Sequence, residues 1–215
     1  AGVAAAAPVG AVQNFGLGID DPFGIASGPD GNLWFTNQLN DSVGRITPAG
    51  VISNFTDPTI SAPSMITAGP DGNLWFTNVG SNSLGRITPA GVVSNFTDPI
   101  LAGPTGIAAG PDGNLWFTNV SNSSIGRVTP TGTFSSFGGT GISFPTAIVA
   151  GPDGNIWFSN NGAMGRIAPT GAVAIVSDPA PPGPIQPITA GPARHLAAPP
   201  PHALRRATTQ PDFTT

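Results

Sequence analysis

The chain has 215 residues, of which 39% are hydrophobic and only 8% are charged, so it can form one domain with a real core. Its formal net charge of −4 argues against a phosphate-binding surface, and we predict no nucleic-acid partner. Cysteine is absent, which excludes disulfides, thiolate metal sites and cysteine nucleophiles. No apolar run approaches the roughly 20 residues of a membrane-spanning helix.

The first stretch of the chain, AGVAAAAPVG, is rich in small residues. We interpret residues 1–7 as a leader, and this composition favours a secreted or cell-surface protein over a cytoplasmic one. The following PVGAVQNF at 8–15 aligns with PAGVISNF at 48–55. Since the later copy ends a repeated unit, residues 8–15 are predicted to be the outermost strand of a preceding unit.

A ten-residue motif then recurs with a fixed period. GPDGNLWFTN stands at 28–37, 69–78 and 110–119, and GPDGNIWFSN stands at 151–160. A period of 41 residues is typical of a propeller or a solenoid. Helical repeats are excluded because the chain has no Glu and no Lys, while it has 30 Gly and 25 Pro.

Each unit is predicted to contain four short strands. In the second unit the strands are SMITAG, NLWFTN, LGRITP and VVSNF, and the turns between them are PDG, VGSNS and AG. In the PDG turn, Pro70 fixes the first corner, Asp71 tolerates the second, and Gly72 takes a positive φ. Four strands in about 40 residues match a propeller blade.

The LWFT strand carries large apolar groups on both faces, with Leu74 and Phe76 on one side and Trp75 and Thr77 on the other. Such a strand must be buried on both sides, as it is between two blades. We therefore predict that the Trp residues of this strand, which we call the Trp column, form the layer between blades. The column comprises Trp34, Trp75, Trp116 and Trp157. We predict an all-β β-propeller with four complete blades at about 21–55, 61–96, 102–137 and 143–176.

The last part of the chain starts a fifth unit and then departs from the repeat. PIQPITAGP at 184–192 matches an inner strand, whereas 193–215 lacks Trp, PDG and alternation. We interpret 8–192 as the propeller and 193–215 as a disordered or aberrant tail. The ends favour an open arc over an incomplete ring in which 8–15 and 184–190 share a blade. An arc exposes apolar blade edges, through which the protein could self-associate.

Three polar columns are candidates for a role beyond the core. The Asn residues that follow the WFT and WFS motifs either bind a polar ligand at the axial opening or bond turn backbone at the strand end. The Arg residues of the G-R-[I/V] motif are interpreted as structural, pairing with an Asp or with carbonyl groups of the next blade. The turn Asp residues are interpreted as bonding their own backbone, since each turn has one carboxylate and a calcium loop needs several. The columns are Asn37, Asn78, Asn119 and Asn160; Arg45, Arg86, Arg127 and Arg166; and Asp30, Asp71, Asp112 and Asp153, beside the structural Trp34, Trp75, Trp116 and Trp157.

The repeat AGPDGNLWFTN…LGRITPAGVVSNF resembles that of the virginiamycin B lyase family, the streptogramin lyases, over about residues 8–192. The resemblance implies a bacterial, seven-bladed antibiotic-resistance enzyme. Such a C–O lyase opens cyclic streptogramin B antibiotics by elimination, using Mg²⁺, a Glu and His residues near the central opening. The family's catalytic Glu follows the WFT triplet, and a catalytic His lies two residues further on.

This chain departs from the family at those positions. At the positions that correspond to the family's catalytic Glu, this chain has the Asn column. An Asn side chain cannot abstract a proton. The chain has no Glu, and its two His residues, His195 and His202, lie in the tail. We therefore assign no catalytic residue, metal ligand or cofactor to this chain. At the positions that correspond to the family's catalytic His, this chain has Leu39, Gly80, Ser121 and Gly162.

Three hypotheses of function follow from these residues. The first is a lyase-like propeller without lyase activity in this chain. The second is a non-catalytic propeller that binds a small cyclic peptide, a glycan or a protein. The third is a structural repeat module that assembles edge to edge.

Overall fold

The computed structural model describes residues 14–16, 18–139 and 141–176, together with two short strands at 189–190 and 196–197. Every regular element in these ranges is a β-strand, and none of the described segments forms a helix of the length and apolarity that crossing a bilayer requires. The strands are β1 (Pro22–Ser27), β2 (Leu33–Asn37), β3 (Ser42–Ile46), β4 (Ile52–Thr56), β5 (Pro63–Ala68), β6 (Leu74–Asn78), β7 (Ser83–Ile87), β8 (Val93–Phe96), β9 (Pro104–Ala109), β10 (Leu115–Asn119), β11 (Ser124–Val128), β12 (Phe134–Phe137), β13 (Ile148–Ala150), β14 (Ile156–Asn160), β15 (Ala163–Ile167), β16 (Val173–Val176), β17 (Thr189–Ala190) and β18 (Leu196–Ala197).

The first sixteen strands form four antiparallel sheets of four strands each, which we call blades 1 to 4. Within each blade the strands pair in chain order. The first strands of successive blades contact one another, β1 with β5, β5 with β9 and β9 with β13, so they line the axis. The predicted fold class is confirmed as an open, all-β arrangement of propeller blades.

Two kinds of turn connect the strands on one side of each blade. In the first, Gly72 has φ +74° and donates its N–H to the Gly69 carbonyl at 3.2 Å. In the second, Gly91 has φ +88° and donates to the Thr88 carbonyl at 2.8 Å. Glycine is required at both positions because other residues rarely adopt this backbone conformation.

Each blade junction packs the Trp face of one blade against the Leu/Phe face of the next. At the junction of blades 2 and 3, Trp75 and Leu84 share one core with Leu115, Phe117 and Val128. The equivalent clusters place Trp34 with Leu74 and Phe76, and Trp116 with Ile156 and Phe158. Trp34, Trp75 and Trp116 are completely buried, whereas Trp157 in blade 4 is only half-buried.

A hydroxyl ladder accompanies this apolar packing. Thr77 in the second strand of blade 2 donates to the Thr105 carbonyl in the first strand of blade 3 at 2.8 Å. The same oxygen accepts the Met65 N–H of its own blade at 3.2 Å. Thr118 repeats the pattern toward the Thr146 carbonyl at 3.1 Å. Because each hydroxyl satisfies two backbone groups, the inner strands of neighbouring blades are fixed in register.

The described ends continue the repeat. Phe15 lies against Gly50, as Phe55 lies against Gly91 one blade later. At the other end, β17 and β18 pair Ala190 with Leu196 and Thr189 with Ala197, the register that joins Ala68 to Leu74 and Thr67 to Trp75 in blade 2. Strand pairing therefore reaches residue 197. The predicted leader at 1–7 and most of the predicted tail lie outside the described residues.

Candidate functional site

The Asn column lies where the second strand of each blade ends. The β2–β3-type turns and the connections into each first strand form one surface here, which we call the loop face; in blade 2 it comprises residues 57–62 and 79–82. The four Asn side chains are between 0% and 4% exposed. They are thus held under the loop face, and their contacts decide what they can do.

Each Asn amide bonds the connection that leads into its own blade. The Asn119 amide nitrogen donates to the Ile100 carbonyl at 3.0 Å and to the Ser124 hydroxyl at 3.1 Å. Its oxygen accepts the Ala102 N–H at 3.1 Å. Asn78 makes the same three kinds of bond, to Thr59, Ser83 and Ser61. In both blades the amide thus bonds loop backbone and a serine hydroxyl, and these bonds shape the loop face from below.

A second set of bonds on this face joins neighbouring blades. The Asp41 carboxylate accepts the Ala62 N–H at 2.7 Å, and the Asn82 amide oxygen accepts the Gly103 N–H at 2.7 Å. In the third copy the Ser123 hydroxyl accepts the Phe144 N–H at 3.3 Å. These side chains had no role in the sequence analysis, although their spacing of 41 residues is a visible signal.

Unfavourable backbone conformations are concentrated on the loop face. All the non-glycine residues with positive φ in the described ranges lie in its turns and connections: Asp21, Asp41, Ala62, Asn82, Ser123 and Phe144. Such conformations cost free energy in any residue with a side chain and are common at functional sites. Phe144 stands out because its φ is +45° and its side chain is 61% exposed. The equivalent position in blade 3 is Gly103, with φ +60°.

The residues two positions after each Asn of the column also lie on the loop face. Leu39 is 73% exposed, while Gly80 donates its N–H to the Ser61 carbonyl at 3.2 Å and Ser121 donates to the Ala102 carbonyl at 3.1 Å. In blade 4 the turn is two residues shorter, and Gly162 has φ +75°. None of these side chains carries an ionisable group.

The Arg and Asp columns lie on the opposite side of the blades. The Asp71 carboxylate accepts the Trp75 indole N–H at 3.1 Å and lies 3.7 Å from the Arg86 guanidinium. That guanidinium lies over both the Trp75 and Phe96 rings and donates to the Pro130 carbonyl of the next blade at 3.3 Å. The Asp, Trp and Arg of a blade therefore form one cluster that also holds the following blade.

The turn carboxylates have lowered pKa values. Burial opposes ionisation of Asp71, but hydrogen bonds from the Asn73 and Trp75 side chains and from the Asn73 N–H outweigh it, so its pKa lies below the ordinary value of 3.8. The same causes lower the pKa values of Asp30, Asp112 and Asp153. Each carboxylate thus accepts hydrogen bonds from its own turn and from the strand that follows it.

We predict that the protein loses stability in acid through these groups. A group whose pKa is lower in the folded state stabilises the fold above its unfolded pKa, and this contribution disappears as the pH falls through the folded value. The free energy of unfolding should therefore decline as the pH is lowered through 3.8 and below. Urea unfolding across this range measures it. Asp71→Asn should show a shallower decline than the wild type, and an equally steep one would contradict the assignment.

The described residues do not fit the magnesium ion that the family resemblance implies. No three His, Cys, Asp or Glu side chains come together within the described ranges. The turn carboxylates are bonded to indole and amide donors, and the Asp41 carboxylate accepts the Ala62 N–H. A hard cation needs several free oxygen ligands, so no step of a reaction is assigned to a metal here.

Comparison with known proteins places the chain in a family. The family model described as the virginiamycin B lyase family matches residues 18–197. The chain belongs to the virginiamycin B lyase family. A curated virginiamycin B lyase from Bordetella parapertussis is 47% identical over 36 residues, which are 17% of this chain and 12% of that protein.

Solved structures of family members have the same blade arrangement. Virginiamycin B lyase from Staphylococcus aureus is 35% identical, with a TM-score of 0.75 over 79% of this chain and 60% of that one. A catalytically inactive His→Ala variant of the S. aureus enzyme, with quinupristin, is also 35% identical, with a TM-score of 0.74 over 78% of this chain and 59% of that one. This family member therefore spans about 60% of the length of these solved relatives.

Proposed function

We propose that this virginiamycin B lyase-like chain is a binding propeller that holds a small cyclic peptide at its loop face without cleaving it. The observation that carries the proposal is the Asn column. Where the family resemblance expects a catalytic Glu, each blade has a buried Asn bonded to the loop backbone, as Asn119 is. A neutral amide in that position can shape a surface but cannot act as a general base.

The relatives support the two halves of this proposal. The S. aureus enzyme with one His replaced by Ala is described as catalytically inactive, and its structure is with quinupristin. Loss of one His there removes activity, and the blades described here contain none. Loss of activity is compatible with ligand binding, because substrate contacts and acid–base groups are separate parts of a site.

Phe144 supplies a contact for such a ligand. Its ring is exposed on the loop face, and its backbone adopts a conformation that disfavours side chains. An exposed aromatic residue maintained at that cost is a typical anchor for a partly apolar ligand. A cyclic peptide offers both apolar surface for this ring and amide groups for the surrounding hydroxyl and amide side chains.

The test measures turnover and binding separately. The chain is incubated with a streptogramin B antibiotic and Mg²⁺, and mass spectrometry is used to look for the linear product. We expect none; linear product that disappears with a chelator would overturn the proposal. Equilibrium dialysis of the same antibiotic should show binding, and its absence would overturn the binding half.

A variant localises the bound ligand. Phe144→Gly should weaken binding by about tenfold, the loss typical of an aromatic contact. The protein should stay folded, because Gly103 already holds the equivalent position. Val92→Ala is the matched control, since Val92 is also 61% exposed but lies in a turn on the opposite side of the blades. Equal effects of the two substitutions would place the ligand away from the loop face.

A further inference from the structure

The loop face of blade 4 departs from a pattern that the other three blades share. In blades 1 to 3 the turn between the second and third strands, which we call the loop-face turn, has four residues, at 38–41, 79–82 and 120–123. In blade 4 it has only two, Asn161 and Gly162. The first strand is shorter as well, since β13 has three residues where β1, β5 and β9 each have six. The regular pairing of the first two strands therefore ends earlier in blade 4.

The shorter turn removes one backbone hydrogen bond. In blades 1 to 3 the first residue of the loop-face turn donates its N–H to a carbonyl that precedes a proline: Gln38 to Asp21 at 3.0 Å, Val79 to Ala62 at 3.2 Å and Val120 to Gly103 at 3.1 Å. The equivalent carbonyl in blade 4 belongs to Phe144. Asn161 donates instead to the Ser143 carbonyl at 2.9 Å. No donor is found for the Phe144 carbonyl among the described residues.

The turn residues that blade 4 lacks are those that crowd this position elsewhere. A Cβ atom on Gly103 in blade 3 would overlap the Ser121 hydroxyl oxygen. In blade 2, a Cβ atom on Gly80 would lie 3.3 Å from that of Ala62. The two-residue turn leaves this space open, which makes room for a side chain at position 144. Phe144 remains 61% exposed, so its ring fills the space only in part.

Blade 4 also supplies an uncharged part of the loop face. Asp21, Asp57 and Asp98 lie in the connections into blades 1, 2 and 3, whereas residues 138–144 and 161–162 contain no ionisable side chain. A cationic donor therefore has no partner charge on these segments of blade 4. A neutral N–H donor next to an apolar group fits both the open carbonyl and the exposed ring.

We propose that a peptide ligand donates a backbone N–H to the Phe144 carbonyl and packs an apolar side chain on the Phe144 ring. The ligand N–H takes the position of the missing turn N–H, so the contact resembles the addition of a β-strand. Blades 1 to 3 do not offer this contact, since their equivalent carbonyls are already bonded within the protein. The contact rests on the proposed function, for which it names the polar anchor of the bound cyclic peptide.

The first test observes the Phe144 carbonyl in the unmodified chain. Phe144–Pro145 is the only Phe-Pro pair in the sequence, so labelling with ¹³C at the Phe carbonyl and ¹⁵N in proline gives one directly coupled carbonyl signal. Saturation with a streptogramin B antibiotic should move this signal downfield, as expected for a carbonyl that gains a hydrogen bond. A signal that stays in place while dialysis shows binding would overturn the contact but not the binding role. Absence of binding would overturn both.

Substitutions separate the carbonyl from the ring. Phe144→Gly removes the ring and retains the carbonyl. Replacing residues 161–162 of this variant by VSNS, the turn at 120–123, completes the arrangement of blade 3 and supplies the missing N–H from within the protein. Dialysis should show about a tenfold further loss of affinity for the antibiotic, because the ligand can no longer reach the carbonyl.

Blade 2 provides a control in the same Phe144→Gly background. Ser81→Asn combined with Asn82→Ser gives its loop-face turn the last two residues of VSNS at unchanged length, and binding should not change. Circular dichroism compares the folds of the variants. If the VSNS replacement costs no more affinity than Phe144→Gly alone, the contact is overturned. If that variant does not fold, the carbonyl signal of the unmodified chain decides.

Discussion

Trp75→Ala is expected to lower the free energy of unfolding by about 3–5 kcal/mol, the cost of truncating a buried Trp. The indole is completely buried between blades 2 and 3 and stacks on Phe96 with centroids 4.8 Å apart. Its removal also takes a hydrogen bond from Asp71 and one aromatic face from Arg86. Because domains are stable by only about 5–15 kcal/mol, this loss is a large share of the total, and urea unfolding followed by circular dichroism measures it.

Trp157→Ala is the matched control within the same repeat. Trp157 makes the equivalent bond to Asp153 at 3.0 Å, but it is half-buried. Its truncation should cost about 1–2 kcal/mol, since less apolar surface is withdrawn from water. Similar losses for the two variants would contradict the assignment of the Trp column to the layer between blades.

Gly85→Ala is expected to have the second large effect. Gly85 pairs with Phe76 across two strands, and a Cβ atom on Gly85 would overlap the Phe76 ring. The ring is completely buried, so it cannot swing into solvent. Overpacking of this kind typically costs about 1–3 kcal/mol and occasionally more. Thermal or urea unfolding of the variant gives the value.

Two comparisons separate overlap from a general effect of alanine. Gly138→Ala adds the same methyl group at an exposed position with no atom within 4 Å and should change stability little. A smaller ring partner should relieve the overlap, so Phe76→Leu combined with Gly85→Ala should cost less than the sum of the two single changes. Simple additivity would mean that the Phe76 ring is not the obstacle.

Much of the fold could be predicted because the sequence repeats the same 41-residue pattern of strands and turns four times. The PDG and PAG turns fix where strands reverse, and the two-sided apolar LWFT strand requires a blade on each side. Glycines such as Gly72 have the positive φ that the turn pattern predicts. Period and turn chemistry are local properties, so the residues themselves carry them.

The candidate site was less predictable because its contacts join strands and connections that are separate along the chain. From the sequence, the Asn column had two equal interpretations, and only coordinates show that Asn119 bonds the Ile100 carbonyl and the Ala102 N–H. The pairing of Asp41 with Ala62, the Thr77 ladder and the Gly85–Phe76 contact depend on register between strands. The repeat period indicates that these contacts recur in each blade, but it does not identify the atoms that are in contact.

The sequence suggested a binding propeller as one hypothesis, but it did not point to Phe144 as part of the proposed binding surface. Nothing in the letters GISFPT marks this phenylalanine as exposed, since the Phe residues of the WFT and WFS motifs, such as Phe76 and Phe117, are completely buried. Its significance comes from backbone conformation and exposure together. Neither follows from hydrophobic periodicity.

The junction between blades has a consequence for how such proteins change length. On one side of blade 2, Trp75 and Arg86 pack against the following blade. On its other side, Leu74 and the Thr88–Gly91 turn receive Trp34 and Arg45 of the preceding blade. Duplicating or deleting one unit in the gene therefore creates no unmatched surface inside the array. Blade number can evolve by single recombination events, with no compensating substitutions at the new joint.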